Sequence, residues 1–110
     1  MRTLIDITKG DKEYDLFFTL FDYNGEPVNL NGASELLLKV QIPGESEIKF
    51  SGSMEIIDSS KGEIKYQVKD GNFSQAGKYY AEIEATFEDG QLVTYGDIII
   101  SAKSDLPKNT

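Results

Sequence analysis

Apolar residues recur at every second position along most of the chain, the spacing that sends one set of side chains to the buried face of a sheet and the other to solvent. Helical spacing is not sustained anywhere. A first strand is predicted from Thr3 to Ile7, ending at the turn-like cluster Lys9-Gly10-Asp11. The next, Glu13 to Phe21, places Tyr14, Leu16, Phe18 and Leu20 on one face. Asp22-Tyr23-Asn24-Gly25-Glu26-Pro27 breaks it, since Asn-Gly supplies the positive φ of a tight turn and Pro removes a ladder donor. After Val28 to Asn31 comes a second Asn-Gly break at Asn31-Gly32. Ser34 to Ile42 then buries Leu36, Leu38, Val40 and Ile42, and is a central strand by content. Pro43-Gly44-Glu45 leads into a short edge strand, Glu47 to Phe50, whose Glu and Lys discourage further pairing. Met54 to Ile57 and Glu63 to Val68 read as a hairpin with its loop centred on Gly62, turning Ile64, Tyr66 and Val68 inward. Asp70 to Gly77 crosses between sheets with Phe73 as a plug. Tyr79, Ala81, Ile83, Ala85 and Phe87 face the core, and Asp89-Gly90 turns the chain into a last strand, Gln91 to Ala102. About eight short strands with frequent turns indicate a sandwich or barrel.

The run Ala76-Gly77-Lys78-Tyr79-Tyr80-Ala81 narrows the choice. It resembles the corner of an immunoglobulin-type sandwich, where a small residue two places before a Tyr permits a tight turn and the Tyr hydroxyl bonds back to main chain just upstream. Gly77 and Tyr79 are the corner residues on this reading. The fold class expected is all-β, an immunoglobulin-like two-sheet antiparallel sandwich.

Composition bounds the chemistry. With 110 residues the chain is one domain, expected over 1–102, with 103–110 and its Pro107 as a linker or frayed end. The sequence contains no Cys and no His, which removes disulfides, thiolate nucleophiles and the commonest general base and metal ligand. Its formal net charge of −8 argues against nucleic acid as a partner, because phosphate binding needs a basic footprint. The bland reading of the acidity is solubility. An acid stands at position 6, so the N-terminus does not read as a signal peptide. No apolar stretch approaches the ~20 residues needed to cross a bilayer, and no membrane association is expected.

Three constellations have some capacity for function. Glu82 and Glu84 share a side, roughly 6–7 Å apart at strand spacing, yet both fall on the solvent register, where nothing separates their pKa values as acid/base work requires. Asp22, Asn24 and Glu26 offer oxygens to calcium, but the same residues are what a hairpin turn uses. No catalytic, metal or cofactor residue is therefore assigned. The third is an interaction face: Phe17 and Phe21 lie opposite the inward set Leu16, Phe18 and Leu20, and Leu37, Tyr80 and Tyr95 fall on outward registers of the other sheet. Grouped exposed apolar side chains mark partner sites. The competing reading covers Phe17 or Phe21 with the N-terminal strand, the loop after Phe21, or a β-bulge shift.

In order, Lys9-Gly10-Asp11, Leu16 to Leu20, Asp22 to Ala33, Lys61 to Tyr66, Gly77 to Ile83 and Asp89-Gly90-Gln91 resemble the immunoglobulin-like N-terminal domain of bacteriophage baseplate upper proteins, over residues 3–102. The resemblance implies a non-enzymatic module of the virion tail tip, made in the bacterial host cytoplasm. It would dock onto other tail and baseplate proteins, form homo-oligomers in the particle and position receptor-binding parts. Ala81 stands where the second disulfide Cys of an antibody-type domain would be, no Trp exists for a core pin, and Gln75 replaces the usual Asp before the corner, all departures from a cell-surface immunoglobulin domain. Two alternatives stay open at this point: a bacterial surface module of the adhesin type, and a small carbohydrate-binding sandwich stacking sugar on Tyr80 and Tyr95.

Overall fold

The computed structural model describes residues 3–8, 13–42, 45 and 47–103. The turn expected at Lys9-Gly10-Asp11, most of Pro43-Gly44-Glu45 and the tail beyond Lys103 lie outside these residues. Among the described residues there are eight strands: β1 (Thr3–Thr8), β2 (Asp15–Thr19), β3 (Ala33–Gln41), β4 (Ile48–Ser53), β5 (Glu55–Asp58), β6 (Glu63–Gln67), β7 (Gly77–Phe87) and β8 (Leu92–Lys103). They form a five-stranded sheet in the order β1-β8-β7-β3-β4 and a three-stranded sheet in the order β2-β6-β5. The fold is an immunoglobulin-like two-sheet sandwich. Its pairing is antiparallel except at one place, where β1 runs parallel to β8.

The alternation read from the sequence becomes the core directly. Leu36, Leu38 and Val40 of β3 and Tyr79, Ala81, Ile83 and Ala85 of β7 face Leu16 and Phe18 of β2 and Ile64 and Tyr66 of β6, and all are buried. Ile98, Ile100 and Ala102 of β8 are buried with them, and Leu20, Leu30, Val68 and Phe73 complete the buried set from the connections. Burying an apolar side chain of this size contributes roughly 1.5–3 kcal/mol, so the two inner faces hold the sheets together without staples. One strand passes between the sheets: β4 leaves the five-stranded sheet at Ser53 and, after Met54, continues as β5 in the other. Gly52 allows that edge to approach closely, because a Cβ there would overlap the Tyr66 ring.

The segment Val28 to Asn31 forms no strand. It is tied instead by Val28 N–H to Leu20 O (2.9 Å) and Leu30 N–H to Ser59 O (2.8 Å), while Phe21 and Pro27 make an isolated bridge. The expected hairpin loop contains a 3-10 turn, Ser59–Lys61, capped by the Asp58 carboxylate at one end and by Gly62 in the left-handed region (φ 66°) at the other. Gly62 is required twice over, since a Cβ there would also lie 2.7 Å from the Leu20 carbonyl oxygen.

The last strand departs from strict alternation. Ala81 pairs with Ile98 but Ile83 pairs with Tyr95, so Gly96 and Asp97 together oppose Glu82. Asp97 takes φ 65°, the signature of a bulge. The extra residue inverts the facing of everything before it. Tyr95 was expected on an outward register; it shares the face of buried Ile83 and packs partly buried against the core.

Candidate functional site

The corner closes locally. Gly77 opens β7 at φ 137°, and the buried Tyr79 sends its hydroxyl back four residues to donate to Gln75 O (2.7 Å) and accept from Gln75 N–H (3.1 Å). Phe73 meets the Tyr79 ring edge-on at 5.1 Å. Nearby, Tyr66 donates to Asn72 Oδ1 (2.6 Å), which also accepts from Lys69 N–H (2.8 Å). Burial raises the Tyr66 phenol above its ordinary value, partly offset by Asn72. These bonds fix the crossing between sheets and expose no reactive group.

The Asp22 turn is likewise spoken for. Asp22 Oδ1 accepts from Asn24 N–H (2.9 Å) and Glu26 N–H (3.0 Å), and Gly25 adopts φ 83°. Among the described residues no group of three or more acidic side chains is placed to hold a metal ion. The two glutamates of β7 differ: Glu82 is exposed, whereas Glu84 is ion-paired to Lys39 at 2.7 Å across the outer face of the five-stranded sheet.

The five interaction candidates fall in three places. Phe17 is 66% exposed in the middle of β2, on the outer face of the three-stranded sheet, flanked by Lys65, which reaches Asp15 (3.5 Å) and Glu55 (3.7 Å). Phe21 is 52% exposed at the end of the same edge. The N-terminal strand pairs with β8 in the opposite sheet and leaves both of them open. On the far side of the sandwich, Leu37 is half-buried beside Glu84 and Tyr80 is 50% exposed. Tyr95 belongs to neither face. Burial, with the Asp22 carboxylate adding, holds its phenol above the ordinary value. Tyr80 and Tyr95 therefore lie on opposite faces of one sheet and form no common stacking platform.

Sequence reasoning missed several exposed apolar side chains: Leu4 on β1, Ile48 on β4, Ile57, Leu92, and Tyr23 at the tip of the Asp22 turn. Leu4 and Ile48 sit on the two edge strands of the five-stranded sheet. No single-strand pattern distinguishes them, because their significance depends on which strands lie beside them.

Similarity to known proteins agrees with this architecture. The chain resembles CopC from Methylosinus trichosporium OB3b in the fold alone, with a TM-score of 0.52, 11% identity, and coverage of 96% of this chain and 90% of that one. Murine CRIg aligns with a TM-score of 0.45 and 16% identity over 94% of this chain and 92% of that one. Among curated proteins none is significantly similar in sequence. The family described as the BppU N-terminal domain matches residues 1–106. The chain thus belongs to the BppU N-terminal domain family, a structural domain of phage-tail baseplates.

Proposed function

We propose that this domain is a docking module of a phage or prophage tail baseplate, which holds onto other virion proteins and positions the receptor-binding parts. The family match over residues 1–106 carries the reading. Its mechanism is rigid presentation: a sandwich whose core needs neither thiol nor metal holds Phe17 and Phe21 outward on the three-stranded sheet. Large aromatic side chains held rigidly and exposed are suited to become the buried anchors of an interface. Assembly inside the host cytoplasm and final residence in the tail follow from that role.

The affinity-tagged chain, mixed with tail proteins released from disrupted phage particles, is expected to retain baseplate components identified by mass spectrometry. The double variant Phe17→Ser/Phe21→Ser should retain at least tenfold less, with urea unfolding unchanged. Equal retention by the variant would remove the two phenylalanines from the docking surface. Retention of no tail protein by the parent chain would overturn the docking reading.

A further inference from the structure

The outer face of the five-stranded sheet contains a hollow of about 370 Å³, open on one side and lined by Lys39, Gln41, Ile48, Tyr80, Glu82 and Asp97. Strand register builds it. Tyr80 pairs with Gln41, and Glu82 with Lys39, so four side chains stand on one face at the corners of a rectangle roughly 5 Å by 7 Å. Two register shifts of the sheet converge on this rectangle. Between Val40 and Gln41 the partner on β4 jumps from Phe50 to Ile48. Ile48 therefore stands beside Gln41 on the outer face, 53% exposed, where strict alternation from Phe50 would turn it inward. The bulge in β8 sets Asp97, at φ 65°, next to Glu82. Bulges that re-aim side chains recur beside functional sites, and a non-glycine residue in the left-handed region is uncommon in a strand.

The lining combines two kinds of surface. The Tyr80 ring is half-exposed, and Ile48 adds a second apolar surface across Gln41. Around them stand one ammonium (Lys39), one amide (Gln41) and two carboxylates (Glu82 and Asp97), so both donors and acceptors line the hollow. Lys39 is ion-paired to Glu84 at 2.7 Å, which leaves its ammonium further N–H donors.

We propose that the hollow binds one ring of a neutral saccharide, stacked on Tyr80. A pyranose has an apolar face of C–H groups, suited to the electron-rich face of a phenol ring, and a rim of hydroxyls that each donate and accept. The aromatic floor and the polar rim match those two features. An anionic ligand would instead meet the carboxylates of Glu82 and Asp97. An apolar protein segment would strip water from four polar side chains and give them no partners. Tyr80 acts here without Tyr95, which shares the inner face with Ile83. The site goes beyond the docking role of Phe17 and Phe21, which lie on the opposite side of the sandwich.

An open hollow that holds one ring binds weakly, with a dissociation constant on the order of 1 mM. Nitrogen–proton correlation NMR of the 110-residue chain tests this, with maltotetraose, cellotetraose and chitotetraose each titrated to about 20 mM. At least one should shift, saturably, the amides of Gln41, Tyr80, Glu82 and Asp97. Tyr80→Ala should weaken binding of that sugar about tenfold while the remaining spectrum stays that of the folded chain. Tyr80→Phe should keep it, and Tyr23→Ser, at the tip of the Asp22 turn, should bind like the parent. No shift with any of the three sugars, shifts away from the hollow, or equal binding by Tyr80→Ala would each overturn the proposal. So would tighter binding of glycerol phosphate or of acetyl-arginine amide, which would assign the hollow to an anion or to a basic side chain. A chain that binds no saccharide yet retains tail proteins loses this site alone, and the docking reading stands.

Discussion

At the scale of single residues, Tyr79 shows how one hydroxyl can fix an element. Its ring is buried against Phe73 and its hydroxyl both donates to and accepts from the main chain of Gln75. Tyr79→Phe keeps the packing and removes only those bonds, so a loss of about 1–2 kcal/mol is expected in urea unfolding. A change within error would mean that the corner is held by packing alone. The buried phenols predict an alkaline limit. For Tyr66 and Tyr95 the folded value is raised above the ordinary one near 10, so the folded state keeps protons that the unfolded state has lost. Their contribution is complete below about pH 10 and is lost as pH rises past it. Unfolding free energy measured from pH 8 to pH 11 should therefore fall beyond 10, and Tyr95→Phe should flatten the fall.

At the scale of elements, the bulge in β8 decides which side chains reach the core. Deleting Gly96 restores strict alternation and turns Val93 and Tyr95 to solvent while Ile98, Ile100 and Ala102 stay inward. Losing two half-buried side chains from the core should cost roughly 2–3 kcal/mol. Unchanged stability would place the register shift elsewhere. This strand also marks where sequence reasoning stops. The inward sets Leu36, Leu38, Val40 and Ile64, Tyr66, Val68 were legible because periodicity is a local property, and they occupy the core. Tyr95 was misplaced because one residue in a non-helical, positive-φ conformation inverts the count, and the signal available was Gly96 inside an apolar strand. The ties of Val28 to Leu20 and of Leu30 to Ser59 are likewise beyond local pattern, since each depends on a partner remote in sequence. The parallel pairing of β1 with β8 escaped more completely, because it joins the first strand to the last and no local pattern encodes it.

At the scale of the whole molecule, the sandwich presents two dissimilar outer faces. One carries Phe17 with Phe21 at its edge, the other Leu4, Tyr80 and Ile48 among acidic and basic side chains. A net charge of −8 makes copies of the domain repel one another at long range. The membership of the chain in a baseplate family identifies the setting, and the disposition of its side chains gives the proposed means. The most direct measurement is immunogold electron microscopy of phage particles from a strain that encodes the chain, using an antibody raised against it. The account predicts gold at the distal end of the tail. Gold on the bacterial surface with unlabelled particles would contradict it.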